Sequence, residues 1–198
     1  HYSTDYVFDG TKPEAYVEDD LTNPLSVYGQ TKLDGENKVR DALCRHLIFR
    51  TSWVYAARGG NFARTMLRLA QERSTLNVID DQIGAPTSAE LIADVSAHAL
   101  RDVLAGRAAG GTYHLAAAGE TSWFGYAKFV IDRARAQGQT LALAADGLKP
   151  IPATEYPLPA KRPQNSCLNT HLLERSFALK LPAWETGVAR VLDEWVSN

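Results

Sequence analysis

Patterns of buried strands and of amphipathic helices alternate along this chain, and that alternation is met chiefly by a parallel sheet with helical crossovers. The run Leu47-Ile48-Phe49-Arg50-Thr51-Ser52-Trp53-Val54-Tyr55 is β-branched and aromatic and predicts one strand. Leu76-Asn77-Val78-Ile79 and residues 112–115 predict shorter strands, and Tyr2 to Phe8 reads as the end of a buried strand with the loop after it. Helices are predicted from Val27 to residue 45, over 62–73, where Phe62, Met66 and Leu69 recur at spacings of four and three, and over 89–105. Thr121 is the expected N-cap of a helix running to Ala136. Two helices close the chain at 170–179 and 182–196, with Pro182 suited to a first helical position.

Composition agrees with a globular α/β protein, at 45% hydrophobic and 22% charged residues, and excludes a disordered tail, a collagen-like fibre and a disulfide scaffold. Lys+Arg is 21 against Asp+Glu 23, so no bulk positive charge is available for nucleic acid. No apolar run approaches the roughly 20 residues of a membrane span. Cys44 and Cys167 are far apart and form no CxxC, which fits a reducing cytoplasm. Composition shifts near Gly147: Pro150, Pro152, Pro157, Pro159 and Pro163 predict an extended segment. The chain opens on His1 with no leader pattern and is expected to be the back part of a longer protein.

The informative chemical pair is Tyr28 and Lys32, which share a helix face at a spacing of four. An ammonium beside a phenol favours the phenolate, and a tyrosine so tuned can pass a proton to a carbonyl oxygen as a hydride reaches its carbon. The spacing alone also describes a solvated surface pair. Ser3-Thr4-Asp5 adds context, because ligands of open α/β sheets bind beyond the carboxyl ends of the strands, although these residues also favour a plain turn. His46, His98, His114 and His171 have no zinc-ligand spacing, and neither cysteine has a base placed near it in sequence.

Ser3-Thr4-Asp5-Tyr6-Val7-Phe8-Asp9-Gly10 and Asn23-Pro24-Leu25-Ser26-Val27-Tyr28-Gly29-Gln30-Thr31-Lys32 together resemble the extended short-chain dehydrogenase/reductases, and more closely their branch that reduces 4-keto sugar nucleotides. The resemblance continues through Arg50-Thr51-Ser52-Trp53-Val54-Tyr55, Asp81-Gln82-Ile83-Gly84-Ala85-Pro86-Thr87 and Arg162-Pro163-Gln164-Asn165-Ser166. It implies an α/β fold with an incomplete Rossmann-like parallel sheet over residues 1–118 and a small, mainly substrate-binding lobe over 119–198. The implied activity is NADPH- or NADH-dependent reduction of the C4 ketone of dTDP-4-dehydro-6-deoxy-L-mannose, in the cytoplasm. Tyr28 would donate the proton, Lys32 would tune it and bind the nicotinamide ribose, and Thr4 would hold the carbonyl oxygen. Asp5 and Tyr6 would lie beside the sugar, Trp53 would pack on its ring, and Arg162 would grip the diphosphate, with Ser166 shaping the loop. Related dehydratases carry Thr-Asp-Glu where this chain has Thr4-Asp5-Tyr6, which favours plain reduction.

The resemblance further implies a small-molecule partner, with a homodimer as a further expectation. Glu90 and Glu194 match positions that in some members help hold magnesium at a dimer interface, although two isolated glutamates make no metal site by spacing. None of the 14 glycines forms G-x-G or G-x-x-G, so the dinucleotide cradle is expected in roughly 100 residues ahead of Ser3. Another nucleotide-sugar reductase or epimerase, and a non-catalytic module like the regulatory subunits of methionine adenosyltransferase, remain the alternative readings.

Overall fold

The structure, a computed structural model, describes residues 1–156 and 161–197. Strands β1 (Tyr2–Thr4), β2 (Leu47–Thr51) and β7 (Gly111–His114) form a parallel three-stranded sheet in the order β1-β2-β7. β2 is the central strand, and Ile48 through Thr51 are buried on both faces, as a covered parallel sheet requires. Helix α1 (Val27–Asp41) crosses from β1 to β2. On one side of the sheet, α3 (Ala89–Leu104) and α5 (His171–Phe177) bury Ile92, Val95, Ala99, Leu173 and Phe177 against Phe49, Tyr113 and Leu115.

The remaining strands are short. β3 (Val54–Tyr55) pairs with β6 (Thr87–Ser88), β4 (Leu76–Ile79) with β9 (Leu148–Ile151), and β5 (Ile83–Gly84) with β8 (Thr121–Ser122). A second core forms where α4 (Trp123–Ala136) meets α2 (Phe62–Glu72) and α6 (Trp184–Ser197), through Tyr126, Val130, Leu67, Trp184, Val188 and Leu192. Side-chain caps start these helices: Ser26 accepts from the Gly29 amide, Asn61 from Arg64 and Ser88 from Leu91.

Several sequence expectations are corrected. The single strand expected from Leu47 to Tyr55 breaks at Ser52-Trp53, because Trp53 takes a left-handed backbone (φ +47°) and the chain leaves the β1-β2-β7 sheet to pair with β6. Ser122 caps α4, not Thr121: its hydroxyl accepts from Gly125 at 2.9 Å, while Thr121 pairs with Gly84 in β8. Pro182 lies two residues ahead of α6, its carbonyl held by the Ala118 amide. α1 ends at Asp41, short of residue 45. The proline-rich segment is extended where β9 holds Pro150, then makes a short 3-10 turn over Ala153–Glu155; Pro157 and Pro159 lie outside the described residues. Among the described residues no helix is long and apolar enough to cross a membrane.

Candidate functional site

The carboxyl ends of β1 and β2 meet at Thr4 and Thr51, which are register partners, and a cleft of about 690 Å³ opens beyond them. Tyr28 and Lys32 from α1, Thr4, Asp5 and Tyr6 after β1, Trp53 after β2, and Arg162 from the C-terminal part all line it. Seven residues separated by up to 158 positions in sequence thus share one cavity, at the end of the sheet where ligands of open α/β folds bind.

Thr4 does two things at once. Its hydroxyl accepts from the Tyr6 amide at 3.2 Å, capping a 3-10 turn over Asp5–Val7, and donates to Asp5 Oδ1 at 3.2 Å. The turn expected of Ser3-Thr4-Asp5 is thus present, and the same three residues line the cleft. Asp5 is buried, its Oδ2 has no hydrogen-bond partner among the described residues, and burial pushes its carboxyl up to about 7 against the opposing pull of the Ser166 and Thr4 hydroxyls. Burial also raises the Tyr6 phenol; the Asp5 and Tyr28 charges add to this and the Arg162 guanidinium opposes it.

Tyr28 is 55% exposed at the cleft, with the Tyr6 ring edge-on to it at 5.8 Å. Gly29 explains how the helix comes this near: a Cβ there would lie 2.2 Å from the Tyr6 carbonyl oxygen. The Lys32 ammonium donates to the Tyr2 carbonyl at 2.5 Å, which ties the same helix to β1 one turn further on. Trp53 stacks on Trp123 with ring centroids 3.7 Å apart and planes 12° apart, and a Cβ on Gly84 would sit 2.6 Å from its indole. One indole face is therefore already covered by Trp123.

Arg162 and Trp123 also line a second cleft of about 690 Å³, whose walls come from α2, β4 and the segment after β9 and include Phe62, Met66 and Tyr156. The Arg162 segment is held from both sides. Ile83 donates to Gln164 and Ser166 donates back to Ile83, each at 2.8 Å, and the Asn165 amide reaches the Lys12 and Glu14 carbonyls. Gly10, at φ +75°, packs on Pro163 so tightly that a Cβ would lie 2.5 Å from it. Ser166 is buried in this loop.

Sequence reasoning missed Trp123, whose one local signal was its place as the first residue of a helix behind paired hydroxyl residues. Glu90 pairs with Arg190 at 3.7 Å, and among the described residues no group of three or more His, Cys, Asp and Glu could hold a metal ion.

A sequence model described as the RmlD substrate binding domain matches residues 1–197. The chain belongs to that family. This RmlD-type domain is 57% identical over 98% of its length to a dTDP-4-dehydrorhamnose reductase of Salmonella typhimurium, and 55% identical over 98% to one of Escherichia coli K12. It is similar to a crystal structure of dTDP-4-dehydrorhamnose reductase from Bacillus anthracis in complex with NADP, at 34% identity and a TM-score of 0.87 over 98% of this chain. The domain spans 64% of the length of each of these three proteins.

Proposed function

We propose that this domain carries the proton-donating and sugar-nucleotide-binding residues of an NADPH- or NADH-dependent reductase acting on the C4 ketone of dTDP-4-dehydro-6-deoxy-L-mannose, giving dTDP-L-rhamnose. The observation that carries the reading is the convergence of Thr4, Tyr28, Lys32 and Arg162 on one cleft at the carboxyl ends of β1 and β2. The residues present fit the nicotinamide end of a dinucleotide: the cleft is open, and a phenol and an ammonium lie one helical turn apart on its wall. The glycine-rich turn that would cradle the dinucleotide's own diphosphate is not in this sequence.

A reduced nicotinamide bound here supplies the hydride. Thr4 then orients the ketone oxygen, Tyr28 gives that oxygen its phenolic proton, and the Lys32 ammonium offsets the charge left on the tyrosine. Asp5 and Tyr6 contact the sugar, Trp53 and its partner Trp123 offer an aromatic wall to the deoxy face, and Arg162 pairs with the diphosphate where the two clefts join. The second cleft, apolar along α2, is suited to the nucleoside. The division at residue 118 belongs to the same proposal, and residues ahead of it in α2 and β4 line the second cleft as well. Exposed Cys44 and buried Cys167, both free, support a reducing cytoplasmic setting.

The test uses a protein of the relatives' full length that contains this chain. Tyr28→Phe is expected to lower reduction of the 4-keto sugar nucleotide by about 10²-fold or more. Unchanged turnover sinks the reading. A folded, full-length protein without any turnover of 4-keto sugar nucleotides would instead favour a binding module.

A further inference from the structure

Tyr28, Lys32, Glu36 and Arg40 recur every four residues along α1 and so form one stripe of the helix. The stripe begins at the cleft and ends at Arg40, whose guanidinium donates to the Thr112 hydroxyl of β7 at 3.2 Å. Helix α1 buries only two residues, Gly29 and Glu36, and Glu36 is wholly inaccessible. Its carboxylate is engaged on every side. Arg50 forks onto it, Nε to Oε1 at 2.9 Å and Nη2 to Oε2 at 2.8 Å. The Ser3 hydroxyl donates to Oε1 at 2.5 Å and Arg40 Nη2 to Oε2 at 2.6 Å. Arg50, itself 3% exposed, spends its remaining arm on the Glu18 carbonyl at 3.1 Å and lies 5.0 Å from the Phe8 ring. Burial pushes the Glu36 carboxyl up, but its bonds with Arg50, Ser3 and Arg40 outweigh this and hold it below the usual range, so the pair is charged.

A buried ion pair is a weak source of stability, and well-packed apolar residues of equal volume serve as well or better. What an apolar contact lacks is direction: a bidentate fork fixes distance and rotation together. The three groups joined here each neighbour the cleft. Ser3 precedes Thr4, Arg50 precedes Thr51, which faces Thr4 in register, and Glu36 lies two turns along the helix from Tyr28.

We propose that Glu36 is a positioning residue, which through its fork with Arg50 and its bond to Ser3 sets α1 so that Tyr28 and Lys32 face the substrate oxygen held by Thr4. The proposal rests on the reading of Tyr28 as proton donor. The test is steady-state kinetics on a protein of full length containing this chain, with NADPH and dTDP-4-dehydro-6-deoxy-L-mannose. Glu36→Gln keeps the volume and removes the charge. It is expected to lower kcat about 10-fold or more while KM for the sugar nucleotide stays within about twofold, because Arg162 and Trp53 stand on other elements. The solvent deuterium isotope effect on kcat is expected to rise as proton transfer becomes limiting.

Leu192→Ala, a cavity variant in the α4–α6 core at a residue that lines neither cleft, chosen for a comparable loss of Tm, is expected to keep the wild-type kcat and isotope effect. Wild-type kcat in Glu36→Gln, a rise in KM in place of a fall in kcat, or an equal fall in Leu192→Ala overturns the proposal. Should Glu36→Gln fail to fold, Ser3→Ala decides, since it removes one hydroxyl and leaves the fork. About threefold or greater loss of kcat at unchanged Tm is expected there, and wild-type kcat overturns the proposal. Tyr28→Phe separates the two levels. If it leaves reduction intact, the functional reading falls and the positioning role with it. If it abolishes reduction while the Glu36 and Ser3 variants do not matter, only the positioning role falls.

Discussion

Replacing Gly29 by alanine sets two opposed effects against each other at a helical position beside Tyr28. In an open helix interior the change stabilises by about 1 kcal/mol, through the glycine's lost backbone freedom. Here the new methyl would lie 2.2 Å from the Tyr6 carbonyl oxygen, 3.0 Å from its carbon and 3.0 Å from Pro24 Cβ. The first neighbour is backbone, held in a 3-10 turn by the Thr4 cap, so it cannot swing aside as a side-chain tip would. Overpacking of this kind costs about 1–3 kcal/mol, and relief requires the first turn of α1 to retreat by roughly 1 Å. Gly35, two turns along the same helix, is the internal control. Its Cβ would meet only the His1 ring at 3.3 Å, the far end of a flexible side chain. Urea unfolding should therefore show Gly29→Ala destabilised by up to about 2 kcal/mol and Gly35→Ala stabilised by about 0.5–1 kcal/mol at unchanged m. With Tyr28 as the proposed proton donor, the same retreat carries it out of reach of the ketone, so kcat in the full-length protein should fall by about 10²-fold in Gly29→Ala and hold in Gly35→Ala. Equal stabilisation by both alanines would refute the close seat of α1 on Tyr6.

Asp5 gives a pH dependence of stability. Its folded carboxyl holds a proton up to about 7 while the unfolded one releases it near 3.8, so the folded state binds more protons between these values and stability falls as pH rises through that window. Asp5→Asn removes the slope: the variant should gain on the wild type by at most about 3–4 kcal/mol between pH 4 and pH 8, measured by urea unfolding across pH. Buried His114, held down to about 3 by burial, acts with the opposite sign below 6.5, but it is common to both proteins and cancels in the difference; a pH-independent difference refutes the shift at Asp5. Arg162→Lys keeps the charge and loses the planar fork, so KM for the sugar nucleotide in the full-length protein should rise about 10-fold with kcat within about threefold; an unchanged KM would remove Arg162 from the diphosphate.

Much of this fold was legible because each local signal agreed with the tertiary outcome. The alternation of apolar strands with capped helices placed β4, β7, α2, α3 and α4 within a few residues of where they lie. The failures at Trp53 and Thr121 share one cause, a long-range partner overriding a local preference. Trp53 carries no turn signature, yet it takes a left-handed backbone because its carbonyl receives the Thr87 amide and its indole lies on Gly84 and Trp123. Thr121 and Ser122 are equivalent as caps until Gly84 claims Thr121 for a strand pair. Within the cleft, Tyr28 and Lys32 were readable because their spacing is local, and Thr4 because it ends a strand. Trp123 was not, since its meeting with Trp53 depends on the long-range pairing of β5 with β8, and nothing local marks Glu36 apart from the other charges of a polar helix.

The burial of Glu36 bears on how the site is held. A helix with a continuous apolar face is located by burial, which is non-directional and lets it slide by fractions of an ångström at little cost. Helix α1 offers Leu33 to the Val7, Phe8 and Tyr16 cluster and little else of that kind. Its position is fixed by contacts that do not slide: Gly29 against the Tyr6 backbone, Lys32 on the Tyr2 carbonyl, and Glu36 in the Arg50 fork. Gly29 and Glu36 are seven residues apart, about 10 Å along the axis. Two rigid points at that separation fix the tilt of the helix as well as its height, and Lys32 between them fixes its rotation. On the proposed reading, a half-exposed helix that presents the Tyr28 phenol to a reacting oxygen needs all three fixed, and polar pins meet that need where an apolar face would not.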